Sequence, residues 1–234
     1  MEQNKHQIFN LFPLTIYKTK LGISEEARQF LIDEIYSHEK QSKNINYKNA
    51  NSSWTGDTQG FEYLFLNKKF SKLFKSISLK IKEYTATIGV LNDQVDFYYQ
   101  RSWATISRKS ESIKPHKHLQ SHISFAYYLQ KDKNSGKIQF HNDKSHNEIA
   151  PGIFTSLTLS KIVTPNIYNV STVRLDTDVD DIIIFPSKTM HSVLPSVSAG
   201  SKDRISISAD VSMIIKNSTN SETLLTPVDK WMKF

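Results

Sequence analysis

From residue 95 onward, apolar and polar residues alternate along short segments, and this alternation constrains the fold more than any other feature. A period of two residues sends successive side chains to opposite faces of a strand. Short strands that follow one another with turn residues between them indicate an antiparallel sandwich or barrel. We predict at least seven strands, at 95–107, 123–129, 137–141, 153–159, 167–173, 181–185 and 204–215.

The N-terminal part of the chain has a different pattern. Residues 9–17 alternate around Pro13, which predicts a short edge strand. Ser24, followed by Glu25 and Glu26, predicts the N-cap of a helix. The helical spacing of apolar residues predicts a second helix that contains Phe70, Leu73, Phe74, Ile77, Ile81 and Tyr84. We expect both helices to pack on one side of a sheet.

The length fits one domain of 234 residues. We divide it into an N-terminal strand and helices at 1–94, a β core at 95–215 and a C-terminal segment at 216–234, in which Trp231 is expected to dock back on the body.

Composition limits the classes of function. The chain has 30 basic and 23 acidic residues and a formal charge of +7, without a long basic run, so we interpret its surface as soluble and weakly positive. The positive charge is also compatible with an acidic substrate or a nucleic acid partner. The absence of cysteine excludes disulfides and thiolate metal sites. Without a signal-peptide core or an apolar run near the roughly 18 residues of a membrane span, we expect no membrane partner and a cytoplasmic location.

Three histidines are candidate ligands of one metal ion. His116 and His118 are two residues apart, so on an extended segment their side chains point to the same side. His191 follows the strand predicted at 181–185. Imidazole binds iron, copper, zinc and nickel. A His-x-His pair also occurs on exposed strands by coincidence, and the downstream His191 favours the shared metal site over that simpler interpretation.

Arg204 opens the last alternating strand, thirteen residues after His191. Ser206 and Ser208 share its face, which places hydroxyl groups beside a guanidinium. A guanidinium binds a carboxylate through two parallel hydrogen bonds. A metal with a carboxylate anchor predicts an oxygenase that uses an oxo-acid cosubstrate. The simpler interpretation is an exposed arginine at the end of a strand.

The other histidines include one alternative ligand. His122 lies four residues after His118 and has the same parity, so we keep it as an alternative third ligand or as a group behind the ligands. The remaining four are expected to be exposed or to have no partner nearby in sequence, namely His6, His38, His141 and His146.

With these residues identified, the sequence resembles the 2-oxoglutarate- and Fe(II)-dependent oxygenases, and in particular a family common in phages and marine bacteria. The family motifs are His-x-His-Pro, Ser-Gly-Val-Tyr-Tyr, Phe-Pro-Ser with a later His, and Arg-Ile-Ser-Ile-Ser. The corresponding segments here are HKHL at 116–119, SFAYY at 124–128, FPS at 185–187 with His191, and RISIS at 204–208. Weaker similarity extends over most of the chain.

The resemblance implies a mostly β fold with flanking N-terminal helices, the double-stranded β-helix or jelly roll. It implies Fe(II) and 2-oxoglutarate as cofactors and O2 as a partner. It also implies a hydroxylase, whose substrate is unknown and is either a small molecule or a protein side chain.

The resemblance further implies roles for single residues, with two departures. The iron ligands would be His116, His118 and His191. The cosubstrate would contact Arg204, Ser206 and Tyr128. The usual triad of these oxygenases is two histidines and a carboxylate, yet the second position here is His118, so the metal would have three neutral ligands. Leu119 and Phe125 stand where proline and glycine are usual.

Two other classes of function fit part of this pattern. A cupin-like isomerase or metal-binding protein uses three histidines as ordinary ligands, but it has no need of Arg204. A structural or interaction protein of a phage particle, on a decayed oxygenase fold, is indicated only by Leu119, Phe125 and the absent carboxylate ligand. The sequence is also compatible with a homodimer. If the protein is encoded by a phage, we expect it in the cytoplasm of the host cell.

Overall fold

The structure is a computed structural model, and it describes residues 7–42, 52–142, 146–155, 162–196, 202–217 and 225–234. These ranges contain short 3-10 helices and the elements β1 (Tyr17–Lys20), α1 (Glu25–Gln41), β2 (Trp54–Thr55), α2 (Ser71–Thr87), β3 (Val95–Ser107), β4 (Ile113–His116), β5 (Ile123–Gln130), β6 (Ile138–His141), β7 (Thr172–Leu175), β8 (Asp181–Pro186), β9 (His191–Val193) and β10 (Arg204–Ile215).

The strands form two antiparallel sheets. The larger sheet has the order β1-β8-β5-β10-β3-β2, and the smaller sheet has the order β4-β9-β6-β7. The apolar side chains that join the sheets come from β5 and β8 on one side and from β6 on the other. The mostly β fold with N-terminal helices, a double-stranded β-helix, is therefore confirmed.

Both helices form for the reasons that the sequence indicates. The Ser24 hydroxyl accepts a hydrogen bond from the Ala27 N–H at 3.3 Å and caps α1. Both α1 and α2 bury apolar residues in the same core as the larger sheet. In α2 all of the apolar positions predicted inside it are buried, namely Leu73, Phe74, Ile77, Ile81 and Tyr84.

Alternation along the central strands separates two interiors. In β5, Phe125 and Tyr127 belong to the core beneath the helices, whereas Ala126 and Tyr128 belong to the cluster between the sheets. The same alternation in β10 sends Ile205 and its odd-numbered neighbours toward the helical side. The even-numbered residues of β10 are left to face the space between the sheets, and the candidate site lies there.

Several predicted boundaries are wrong. The edge strand predicted at 9–17 begins only at Tyr17, because β1 pairs with β8 solely over Tyr17–Lys20. The strand predicted at 167–173 is shifted to Thr172–Leu175. Of the strand predicted at 153–159, residues 153–155 form a turn and 156–159 lie outside the described residues. Trp231 does not dock on the body, since it is 55% exposed and its indole N–H donates to nearby Thr226.

One glycine is required where β6 approaches the chain after β9. A Cβ atom at Gly136 would lie 1.7 Å from the carbonyl oxygen of Leu194, a distance that no side chain can occupy. The close approach lets β6 pair with β9, whose first residue is His191.

None of the helices in the described ranges is both long and apolar enough to cross a lipid bilayer.

Candidate metal centre

Three imidazoles meet at the edge of the smaller sheet. His116 ends β4, His191 begins β9, and the two are direct partners in the antiparallel register. One ring nitrogen of each of His116, His118 and His191 lies within 4.8 Å of the others. Small rotations of the rings would let the three nitrogens share one ion.

His118 lies two residues beyond the end of β4, and a backbone hydrogen bond positions it. The His118 N–H donates to the carbonyl oxygen of Ser187 at 2.9 Å, which ties the chain to the end of β8. The side chain then stacks on Trp103, with ring centroids 5.7 Å apart and planes 10° apart.

Nδ1 is the hydrogen-bonded nitrogen in all three imidazole rings. Nδ1 of His116 lies 2.9 Å from the Lys114 carbonyl oxygen, and Nδ1 of His191 lies 2.9 Å from that of Thr189. Nδ1 of His118 lies 2.5 Å from Oδ1 of Asp210. Carbonyl and carboxylate oxygens only accept, so each Nδ1 carries the hydrogen and each Nε2 keeps its lone pair. This is the tautomer in which metal-binding histidines are usually held.

Burial keeps two of the rings neutral. Burial lowers the pKa of His191 to about 3, although the hydrogen bond to Thr189 opposes the shift. Burial also lowers the pKa of His116, again against its backbone hydrogen bond. Because a metal ion binds the neutral imidazole, both groups are ready to coordinate at neutral pH.

The sequence reasoning missed Asp210, which is 2% exposed. It accepts hydrogen bonds from His118 and from Arg101, whose Nη2 lies 2.6 Å from Oδ2. Burial acts to raise the pKa of Asp210, but the hydrogen bonds from His118 and Arg101 bring it below its usual value. The parity of β10, continued from Arg204 through Ser206, would have indicated that Asp210 faces the same interior.

Arg204 lies at the other end of the same space and is 2% exposed. Within the described part of the chain, its Nε and Nη1 have no hydrogen-bond acceptor. Its guanidinium carbon lies 5.1 Å from the ring centroid of Tyr128, whose buried hydroxyl also has no partner there. A buried donor without an acceptor costs about 1 to 3 kcal/mol. The arrangement is therefore suited to an anion that would take these hydrogen bonds.

A second cation adds to the positive potential beside Arg204. The Lys131 Nζ lies 5.7 Å from the Tyr128 ring centroid and donates to Thr177. Burial, together with the charge of Arg204, lowers the pKa of Lys131.

One cavity of about 400 Å³ connects the two ends. This volume is in the usual range for small-molecule sites, about 300 to 1,000 Å³. Its inner wall includes Ser208 and the predicted site residues His116, His118, His191, Arg204 and Ser206. The half-buried or exposed residues of the lining include Thr55, Asp57, Arg101, Lys117, Leu119 and Gln120.

The other histidines lie outside the cluster. His122 is exposed, and its Nδ1 accepts a hydrogen bond from the Met213 N–H at 2.9 Å. His146 is exposed as predicted, whereas His141 is half-buried and its Nε2 lies 2.9 Å from the Ser192 hydroxyl. His38 is buried beside Glu34, and His6 lies outside the described residues.

His118 and His122 can be separated by mutation. We expect His118→Ala to weaken the binding of a divalent metal by at least about tenfold, because it removes one of the three converging nitrogens. We expect His122→Ala to leave metal affinity unchanged. Titration of both variants with Co(II) would measure this, and a loss seen only in His122→Ala would reverse the assignment.

Residues 101–210 match the sequence model of a family described as "Putative 2OG-Fe(II) oxygenase", where 2OG stands for 2-oxoglutarate. No curated protein sequence matches the chain.

Solved structures with similar folds are about equally distant in sequence. HygX from Streptomyces hygroscopicus, solved with nickel and 2-oxoglutarate bound, has a TM-score of 0.54 at 10% identity, with 91% of this chain and 92% of HygX covered. A prolyl-4-hydroxylase from Pseudomonas putida has a TM-score of 0.52 at 10% identity, with 86% and 94% covered. The α-ketoglutarate-dependent epimerase SnoN, from nogalamycin biosynthesis, has a TM-score of 0.52 at 10% identity, with 89% and 83% covered. These similarities show the fold alone.

Proposed function

We propose that the protein is an Fe(II)- and 2-oxoglutarate-dependent oxygenase and, more specifically, a hydroxylase, since residues 101–210 match the sequence model of that oxygenase family. The observation that carries the proposal is the cavity with the imidazoles of His116, His118 and His191 at one end and the buried Arg204 at the other. The first end fits a metal ion, and the second end fits a carboxylate.

The three histidines would hold iron through Nε2. Their Nδ1 hydrogen bonds fix the orientation of each ring before any metal binds, which reduces the entropy lost on binding. Three protein ligands also leave coordination positions for small molecules. When bound, iron and 2-oxoglutarate supply the activation of O2 for oxidation of a substrate C–H bond.

Arg204 would bind the distal carboxylate of 2-oxoglutarate. Its buried Nε and Nη1 are donors without an acceptor among the described residues, and Ser206 also lines the cavity. The Tyr128 ring lies beside the guanidinium, and its buried hydroxyl is a further donor. A charge-assisted contact of this kind fixes both the position and the direction of a dicarboxylate, so that its other end faces the histidines.

Apolar side chains pack against the histidine end of the cavity. The Phe185 ring packs edge-on against His191 with centroids 4.8 Å apart, and Trp103 covers one face of His118. Ile113 and Val193 line the same part of the cavity. An apolar wall lowers the local polarity, which strengthens electrostatic interactions inside the site.

Arg204 also favours the oxygenase over a cupin-like metal protein. A metal site without an oxo-acid cosubstrate has no use for a buried guanidinium whose nitrogens lack acceptors, and burying such a group is costly. The cytoplasmic location and the phage origin stay predictions from the sequence.

Turnover of 2-oxoglutarate tests the proposal before any substrate is known. We expect the purified protein to convert 2-oxoglutarate slowly to succinate when Fe(II), O2 and ascorbate are present, and we expect no conversion without iron. Succinate can be measured by mass spectrometry, with His191→Ala as the matched control. If the wild-type protein neither forms succinate nor binds 2-oxoglutarate in the presence of iron, it is not a 2-oxoglutarate-dependent oxygenase. The assignment would then be a metal-binding jelly-roll protein.

A further inference from the structure

The candidate ligand set contains no carboxylate, yet a buried carboxylate lies directly behind it. Asp210 Oδ1 is 2.5 Å from Nδ1 of His118. Nδ1 and Nε2 face away from each other across the imidazole ring, so a carboxylate bonded to Nδ1 does not reach an ion at Nε2. Asp210 is therefore placed to act on the metal centre through His118 and not as a ligand.

We infer that Asp210 is a positioning residue of the metal centre, which fixes His118 in its metal-binding tautomer and supplies, one hydrogen bond away, the negative charge that three neutral ligands lack. The inference rests on the proposed function in that it takes the three histidines as a metal site. It assigns to this chain an alternative location for the anionic group, on β10 instead of on the His-x-His segment.

The orientation of Asp210 is itself determined by several hydrogen bonds. Arg101 donates to Oδ2 from Nε at 3.1 Å and from Nη2 at 2.6 Å. The Ser121 hydroxyl donates to Oδ1 at 3.3 Å. With Oδ2 occupied by the guanidinium, Oδ1 is directed to His118. A carboxylate held on both oxygens in this way loses little freedom when the metal binds.

The backbone register brings Arg101 opposite Asp210. Pairing between β10 and β3 shifts between Asp210 and Val211, so that Asp210 pairs with Arg101 while Val211 pairs with Tyr99. The residue between them, Gln100, is the extra residue of a β-bulge in β3. Bulges redirect side chains and are common next to functional sites.

His118 is restrained on its face as well as at its edge. Trp103 stacks on the imidazole, and the Arg101 guanidinium carbon lies 5.2 Å from the centroid of the Trp103 ring. Arg101 thus contacts both groups that hold His118. The hydrogen bond to Asp210 and the stacking on Trp103 together restrain the orientation of the His118 ring.

Two substitutions separate the two contributions of Asp210. The amide oxygen of Asp210→Asn can still accept from Nδ1–H, so this variant keeps the tautomer and loses the charge. Asp210→Ala loses both. The matched control is Asp181→Asn, which removes a carboxylate that is likewise buried and paired with cations, Lys18 at 3.1 Å and Lys20 at 3.0 Å, but that does not contact the histidines.

The measurement uses Co(II) as a probe of the full-length protein. By isothermal titration we expect Asp210→Ala to bind Co(II) about 10 to 100 times more weakly than wild type, the range found for groups behind metal ligands. The Co(II) affinity of Asp210→Asn should lie between those of Asp210→Ala and wild type. The affinity of Asp181→Asn should match that of wild type, even if its melting temperature is lower.

Proton NMR of the Co(II)-loaded protein gives a readout that a purely structural role would not change. Each ligand imidazole with a protected Nδ1–H should contribute one exchangeable, strongly shifted resonance, so we expect three in wild type. The resonance of His118 should be absent in Asp210→Ala and present in Asp210→Asn. If Asp210→Ala does not fold, Asp210→Asn and Asp181→Asn carry the comparison through their affinities.

The outcomes distinguish this inference from the proposed function. Wild-type affinity for Co(II) in both Asp210 variants, with all three resonances retained in Asp210→Ala, would overturn the inference while leaving the metal site in place. Equal affinity of Asp210→Asn and wild type would overturn the contribution of charge. If the wild-type protein binds neither Co(II) nor Fe(II), the proposed function fails first.

Discussion

Replacing His191 with alanine is expected to lower the affinity for Fe(II) by at least about tenfold, and the wild-type protein is expected to bind one Fe(II) per chain. His191 supplies one of the three converging nitrogens, and its buried ring is neutral at the pH of the assay. Changes to groups behind metal ligands already cost about 10 to 100-fold, so the loss of a direct ligand should cost at least as much. Anaerobic calorimetry would measure both the stoichiometry and the affinity.

The control for this experiment is His141→Ala. His141 lies on β6 beside β9 and contacts Ser192, but it is not one of the three clustered histidines. We expect its removal to leave iron binding close to wild type. If His116→Ala and His191→Ala both kept the stoichiometry and affinity of the wild type, the metal centre would have to lie elsewhere.

Replacing Arg204 with alanine is expected to raise the dissociation constant of 2-oxoglutarate by more than about tenfold. Two charge-assisted hydrogen bonds would be lost, and such bonds contribute roughly 1.5 to 3 kcal/mol each. Arg204→Lys should recover only part of the affinity, because lysine lacks the planar fork. The titration is done anaerobically with iron present, and N-oxalylglycine replaces 2-oxoglutarate to prevent turnover.

Two comparisons make the Arg204 result specific. Iron affinity should stay near the wild-type value, since Arg204 lies at the other end of the cavity from the histidines. Arg174→Ala should change neither affinity, because Arg174 lies on β7 and its Nε donates to Gln139. An unchanged dissociation constant in Arg204→Ala would exclude this arginine as the carboxylate anchor.

The long strands were the most predictable part of the fold. The bounds of β3 and β10 agree with the prediction at both ends, because alternation over 13 and 12 residues marks an element more clearly than a short run does. The short segments predicted at 9–17 and 167–173 were placed wrongly. Their alternation gives no information on whether a partner strand is available, and pairing with a partner decides where a strand begins and ends.

The sequence predicted the members of the histidine cluster but not the contacts that hold it. His118 joins the cluster through a backbone hydrogen bond to Ser187, a residue distant in sequence. Asp210 lies 92 residues from His118 along the chain, and the register between β10 and β3 pairs it with Arg101. Contacts between side chains on distant strands depend on register, which the sequence pattern alone does not fix.

The alternation of β10 has a consequence for how such a protein can evolve. Its odd-numbered residues, such as Ile205 and Ile207, pack under the helices, while Arg204 and Ser206 face the cavity. Substitutions on the cavity side therefore leave the hydrophobic core intact. A lineage can change its chemistry without first rebuilding its scaffold, and a prolyl-4-hydroxylase and an epimerase do share this fold.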